Sequence, residues 1–224
     1  MSYPINVFKF LFSMDDHLFR IRKAEKVQNL WKVSALLVLC SVFVYVWMAY
    51  LGIGTAIISQ DATALSSTEY ELSKLWFIIG RVLFAVLFAA LLLFVPTLYF
   101  YLLTDIPYRK LIIMQQVVLL VLLVERILWV PLVLFSGLDW YVSPLSFGVI
   151  ASYLTETPWI IYFFGAISLF QLWVIWFQVK YLSTMTAIKK HWLWVNVICL
   201  HILYWCLAAF LAYANTYIIS GWFG

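Results

Sequence analysis

The stretch from Leu75 to Leu103, LWFIIGRVLFAVLFAALLLFVPTLYFYLL, contains a single charged residue, Arg81. A helix that rises ~1.5 Å per residue needs ~20 apolar residues to cross ~30 Å of hydrocarbon, and this run exceeds that length. Lipid offers no partners for the backbone groups of an open strand, so a helix is expected. The run therefore predicts a membrane-spanning segment.

Four further runs of the same kind flank this one, and together they predict an all-α fold: a polytopic transmembrane bundle of five spans. We expect a cytoplasmic N-terminal segment, residues 1–32, followed by a five-helix transmembrane domain, residues 33–224. The five predicted spans are Val33 to Ser59, Leu75 to Leu103, Leu111 to Phe135, Trp159 to Leu182 and Trp192 to Ile219.

Composition agrees with a membrane protein. Of the 224 residues 66% are hydrophobic and only 11% are charged, with a mean hydropathy of +1.01. The net charge of +4 comes from basic residues dispersed between apolar runs, which excludes a nucleic-acid partner and encodes membrane topology instead. The three cysteines lack metal-ligand spacing, and we expect small buried apolar side chains at Cys40, Cys199 and Cys206.

Lysine and arginine placement predicts the orientation, because positive residues are retained on the cytoplasmic side. The N-terminal segment, the second loop (Arg109, Lys110) and the fourth loop (Lys189, Lys190) are basic, whereas the third loop, residues 136–158, has no lysine or arginine. In the first loop Lys74 stands among Asp61, Glu69 and Glu71. We therefore expect a cytoplasmic N-terminus and, after five crossings, residues 220–224 outside.

The N-terminal segment has an amphipathic pattern followed by a basic run. A helix lying on the membrane surface would bind an anionic inner leaflet through this run. The alternative is that the segment packs under the helix bundle. The residues of the predicted membrane-surface basic segment are Arg20, Arg22, Lys23 and Lys26.

In the third loop, the aromatic and apolar stretch Leu145 to Leu154 lies between two proline-containing turns. It is too short to cross the bilayer, and we expect it to lie at the outer interface or to re-enter shallowly.

Ionisable residues within spans are costly and mark functional or structural contacts. Arg81, Glu125 and Arg126 all fall in the outer half of the predicted bilayer, and we expect an ion pair between Arg81 and Glu125. This cluster fixes helix register, lines a pathway or ligand site, or reaches lipid headgroups. Weaker signals, expected to bond between helices, are Gln171, Asn196 and His201.

No catalytic pattern is present. The histidines do not form a zinc motif, no serine lies in a nucleophile elbow, and no phosphate-binding glycine loop occurs. We therefore expect a non-enzymatic protein with no catalytic residues, no metal and no cofactor.

From Pro144 onward the chain resembles the bacterial branch of the Yip-domain family, five-span proteins named for Ypt/Rab-interacting proteins. The resemblance is carried by PLSFGVIASYLTETPWIIYFFGAISLFQLWVIWFQVKYLSTMTAIKK, with its Phe-x-x-Trp element, Phe170 to Trp173, and the basic turn Lys189 and Lys190. The Asp-Leu-Tyr-Gly-Pro-type motif of eukaryotic members is absent, so GTPase binding does not carry over. The resemblance implies a non-enzymatic bundle that acts through other membrane proteins.

The expected function is that of a multi-pass plasma-membrane protein serving as an accessory or assembly partner of another membrane complex, such as an export system. Its expected partners are the lipid bilayer and another integral membrane protein or a second copy of itself. The alternative is a homo-oligomeric channel or small transporter, with a polar path lined by the intramembrane charged residues.

Overall fold

The computed structural model describes residues 2–55 and 66–214, and these are mostly helical, which confirms the all-α class. The chain divides into two compact units, the first ending at Ile127 and the second beginning at Leu128. Residues 56–59 of the first predicted span, residues 215–219 of the fifth, the tail 220–224 and Asp61 lie outside the described residues.

The first unit begins with a small folded segment that the sequence did not predict in full. Two three-residue strands, β1 (Ser2–Pro4) and β2 (Lys26–Gln28), pair in parallel, and two short helices, α1 (Val7–Phe12) and α2 (Met14–Lys23), connect them. The Asn6 side chain caps α1 by accepting from the Lys9 N–H at 3.0 Å. The amphipathic pattern thus folds back on itself around buried apolar residues: Val7, Phe10, Leu18 and Ile21.

Helix α3 (Leu30–Tyr50) packs against α4 (Ser67–Leu103). Ala85 is fully buried at the contact, where its small side chain permits close approach and its carbonyl oxygen accepts from Ser41 Oγ at 3.2 Å. Tyr45 adds ring contacts with Phe84 and Phe88. Hydrophobic and hydrogen-bonded contacts together hold this helical pair.

Both helices differ from the predicted spans at their ends. Helix α3 ends at Tyr50, because Gly52 and Gly54 adopt a left-handed conformation with φ of 79° and turn the chain. Helix α4 begins at Ser67, eight positions before the predicted Leu75, because Ser66 and Glu69 form a capping box.

Helix α5 (Tyr108–Ser136) extends the predicted third span slightly at both ends. Pro96 and Pro131 lie inside the continuous helices α4 and α5. Residues 111–121 of α5 are buried on every face of the helix. Among them is Gln116, whose Nε2 donates to the Leu30 carbonyl at 2.9 Å and to Ser34 Oγ at 2.8 Å. These two bonds connect α5 with the start of α3.

In the second unit a 3₁₀ turn (Trp140–Val142) precedes two short helices, α6 (Gly148–Leu154) and α7 (Pro158–Gly165). Two longer helices follow, α8 (Leu169–Met185) and α9 (Lys190–Ala214). With seven residues, α6 is too short to cross a bilayer, as expected for this stretch, and its position at the outer interface stays a prediction.

The expected single fourth span, Trp159 to Leu182, is wrong as a continuous helix, because residues 166–168 separate α7 from α8. The interruption is satisfied by hydrogen bonding. Phe147 N–H donates to the Ile167 carbonyl and Leu169 N–H donates to the Leu145 carbonyl, each at 3.0 Å, while Ser168 Oγ caps α8 by accepting from Gln171 N–H.

Within the described part of the chain, four helices are long and apolar enough to cross a membrane: α3, α4, α5 and α9. The expected crossing between α5 and α9 is replaced by the interrupted pair α7 and α8, neither of which reaches that length alone. The described residues therefore include four long apolar helices, and a fifth crossing stays a prediction.

Candidate functional site

His201 on α9 lies between two glutamines of α8, and these three side chains form what we call the histidine cluster. His201 Nδ1 is 3.1 Å from Gln171 Oε1, and Nε2 is 3.0 Å from Gln178 Oε1. His201 is 4% exposed and Gln178 is 2% exposed. A neutral imidazole donates at one nitrogen and accepts at the other, so in that state one glutamine turns its NH2 group to the ring.

Gln178 was not predicted from the sequence as part of this cluster. It follows Gln171 by seven residues, which is two helical turns, so the two side chains share one face of α8. This seven-residue spacing is the sequence feature from which Gln178 could have been predicted. His201 and Gln171 were both predicted to bond between helices, and the contact between α8 and α9 confirms this.

Two buried donors adjoin the histidine cluster on α9. The ring centroids of Tyr204 and Trp205 lie 6.2 and 6.0 Å from that of His201. Neither the Tyr204 hydroxyl nor Trp205 Nε1 has a hydrogen-bond partner among the residues that the structure describes. The cluster thus adjoins unused donors in an otherwise apolar setting.

The third predicted interhelical residue, Asn196, donates from Nδ2 to the Trp192 carbonyl of its own helix at 2.8 Å. The bond described for the Asn196 amide is thus within α9, whereas the sequence predicted a bond to another helix. An i to i−4 bond of this kind satisfies a polar side chain locally.

Arg81 lies on α4 and reaches the turn that ends α3. Its Nη2 is 3.1 Å from the Ile53 carbonyl oxygen and 3.5 Å from that of Gly54, and its guanidinium lies 4.9 Å from the centre of the Phe77 ring. A Cβ at position 54 would clash with Nη2. The partners described for Arg81 are thus main-chain carbonyl groups, whereas the sequence predicted the carboxylate of Glu125.

This geometry also gives the level of Arg81 along α3. Helix α3 has 21 residues and is thus ~31 Å long, about the thickness of the hydrocarbon layer. Since Arg81 reaches the turn after its last residue, the guanidinium lies at the level of the end of α3. The third interpretation from the sequence, an arginine near lipid headgroups, stays a prediction.

Arg81, Glu125 and Arg126, the arginine cluster, all belong to the first unit and are all partly exposed. The ion pair between Arg81 and Glu125 stays a prediction.

The basic segment of α2 and β2 is exposed, and only part of its charge is paired. Arg20 Nε lies 3.0 Å from the Asp16 carboxylate, and the Lys23 ammonium lies 4.1 Å from the centre of the Phe19 ring. Lys110, at the start of α5, donates to the Arg22 carbonyl at 3.1 Å. This bond connects the N-terminal segment to a long helix.

A buried aromatic group holds α2 against β1. Tyr3 Oη and His17 Nδ1 are 2.6 Å apart, and the His17 ring stacks on Phe10. Burial raises the pKa of Tyr3 to about 12 and lowers the pKa of His17 below its ordinary value of 6.5. Both groups are therefore neutral near neutral pH.

Among residues 2–55 and 66–214, no group of three or more histidine, cysteine or acidic side chains is placed to hold a metal ion. The cysteines there are free thiols, and the expectation of buried ones is wrong: Cys40 and Cys199 are exposed and Cys206 is partly exposed. They lie on outward-facing positions of α3 and α9, where an apolar environment would be lipid rather than protein.

Long apolar helices with large exposed apolar side chains, joined by buried hydrogen bonds, define a helical multi-pass membrane protein. No family model, no curated protein and no solved structure matches the chain.

Proposed function

We propose that this protein is a non-enzymatic accessory or assembly partner of another membrane complex, such as an export system. The observation that supports this most is the use of the buried polar side chains. Gln116, Ser41 and His201 all bond to a neighbouring helix of their own unit. Because these groups are engaged in holding helices together, the surfaces left for interaction are the apolar outer faces and the basic N-terminal segment.

The apolar face of α9 is the clearest of these surfaces. Leu203, Leu207 and Phe210 are each at least half exposed, and their spacing places them on one side of the helix. A face of this kind contacts lipid or another transmembrane helix. Association there proceeds by close packing, since lipid tails are as apolar as the side chains.

The proposal includes a topology. The interrupted pair α7 and α8 crosses the plasma membrane as the fourth of five spans, the N-terminus is cytoplasmic and the C-terminus is outside. The absence of lysine and arginine from residues 136–158 and the basic residues of the second and fourth loops support this. Membership of the bacterial Yip-domain branch is part of the same proposal and rests on the Phe170 to Trp173 element at the start of α8.

Site-specific crosslinking tests the function directly. A photoreactive amino acid at Leu207, which is half exposed, is expected to capture another integral membrane protein in native cells. The matched control has the photoreactive amino acid in place of Ala209, which is fully buried, and is expected to give no crosslink to another protein. Crosslinks to lipid or to a second copy alone would contradict the proposal.

A channel or small transporter is the second candidate, and one feature of the second unit favours it. Interrupted helices near buried polar groups are typical of transporter binding sites, and α8 carries both glutamines of the histidine cluster after such an interruption. Liposomes containing the pure protein test it. Flux of ions or small solutes that is lost in His201→Leu would support this function, and no flux from the unaltered protein would refute it.

A further inference from the structure

The N-terminal segment contains a cavity of about 300 Å³. Residues of β1, of the link to α1 and of both short helices line it. Three of its lining side chains are basic or can become so, Lys9, His17 and Arg20, whereas no acidic side chain lines it. The charge of the lining favours an anionic occupant.

The hydrogen bonds within the segment determine which polar groups remain available. Asn6 uses its Oδ1 to cap α1, which leaves its NH2 group as a donor. Arg20 engages Asp16 through Nε, which leaves its two terminal NH2 groups. Lys9 is exposed at the rim and has three donors and no acceptor.

His17 is the fourth residue of the lining that can donate. It is 8% exposed, and its Nδ1 faces the Tyr3 hydroxyl at 2.6 Å. Because both groups are neutral and the phenol is the better donor, the hydroxyl proton points to Nδ1 and the imidazole proton resides on Nε2. With this tautomer assigned to His17, the side-chain groups left over on Asn6, Lys9, His17 and Arg20 are all donors.

The position of the segment indicates the source of such an anion. Only Asn29 separates the end of β2 from the first long helix, so the cavity lies near the membrane surface. Three large aromatic side chains of the same segment are exposed, at 60% for Phe8, 91% for Phe12 and 57% for Phe19. Exposed aromatic rings beside basic groups are typical of protein surfaces that enter the headgroup layer.

We propose that this cavity binds a phosphate group, supplied by an anionic lipid headgroup. A volume of about 300 Å³ accommodates the phosphate together with part of its headgroup. Charge-assisted hydrogen bonds from Lys9 and Arg20 provide the attraction, and Asn6 and His17 add neutral donors. The site is independent of the protein's partner and of the number of crossings.

The test uses the full chain in nanodiscs that contain phosphatidylcholine with or without phosphatidylglycerol. Native mass spectrometry measures the phosphatidylglycerol that stays bound, and calorimetric titration with inorganic phosphate into phosphatidylcholine nanodiscs measures the free anion. Lys9→Gln and Arg20→Gln are each expected to weaken binding about tenfold, as expected for the loss of one charged contact. Lys32→Gln removes the same charge from an exposed position outside the cavity and is expected to bind as the unaltered chain does.

Asn6→Asp is the sharpest variant. Aspartate also caps a helix, so α1 is retained, but a donor is replaced by a negative charge inside the cavity. Binding is expected to be lost while far-ultraviolet circular dichroism stays unchanged. Phosphatidylglycerol retention with this pattern of variants supports the proposal, and inorganic phosphate binding with the same pattern supports the phosphate site but assigns it to a soluble anion. The proposal would be overturned if neither phosphatidylglycerol nor inorganic phosphate bound, or if Lys32→Gln weakened binding as much as Lys9→Gln and Arg20→Gln do.

Discussion

Gly148→Ala provides a stringent test of the second unit, because Gly148 and Gly165 allow the chain around Tyr141 to lie between α6 and α7. A Cβ on Gly148 would clash with the Tyr141 carbonyl oxygen and would lie 2.8 Å from the Gly165 Cα. Both neighbours are backbone atoms, so the clash cannot be relieved by a side-chain rotation. We expect a cost at the upper end of the overpacking range, about 3 kcal/mol.

The matched control is Gly80→Ala on α4, where a new Cβ would meet no atom within 4 Å. In a helix interior this change is expected to stabilise by about 0.5 to 1 kcal/mol. Thermal unfolding in mild detergent, followed by circular dichroism, measures both variants. For a chain of this size about 3 kcal/mol corresponds to a Tm lower by about 6 to 12 °C. Equal Tm values for the two variants would refute the packing described for α6 and α7.

Two further predictions concern the first unit. Gly54→Ala is expected to lower the free energy of unfolding by about 2 kcal/mol, because alanine is strained at φ of 79° and its Cβ displaces Arg81 from the Ile53 carbonyl. Arg81→Leu should therefore lower the Tm less in the Gly54→Ala variant than in the unaltered chain. Fully additive Tm changes would argue against the contact between Arg81 and this turn. The pKa of His17 is lower in the folded chain than in the unfolded one, so the unfolded state binds more protons as the pH falls. The N-terminal segment should therefore be most stable above about pH 6.5 and lose protection in hydrogen exchange below it, and a pH-independent exchange pattern for α2 would contradict this.

The long helices could be predicted from the sequence because hydropathy averages over many residues. Arg81 did not obscure α4, since one charge in so apolar a run changes the average little. The ends of helices were less accessible. The capping box at Ser66 and the left-handed glycines after Tyr50 act locally, and the charged residues that begin α4 argue against a membrane span although they continue the helix.

The interruption at residues 166–168 could not be predicted from hydropathy, because the residues around it are as apolar as a continuous span. Its stability depends on hydrogen bonds to residues 145–147, which are distant in sequence. The strands β1 and β2 were missed for a related reason: three residues are too few for an alternating pattern, and their pairing joins Tyr3 with Val27.

The candidate site could be predicted only in part. His201 and Gln171 stood out because polar residues in apolar helices need partners, but the sequence did not say that Gln178 completes the cluster. The partner expected for Arg81 was Glu125, because opposite charges attract. The structure shows that main-chain carbonyl groups at the end of a helix provide an alternative that composition does not reveal.

Buried polar side chains in this protein hold helices together, as His201 and Gln178 do. A double-mutant cycle of His201→Leu and Gln178→Leu, measured by unfolding in mild detergent, tests this role most directly. The two residues lie on different helices, with His201 Nε2 3.0 Å from Gln178 Oε1. We predict a coupling free energy of about 0.6 to 1.7 kcal/mol, the range of hydrogen bonds between membrane helices. Additive single-variant effects, with a coupling free energy near zero, would contradict the claim.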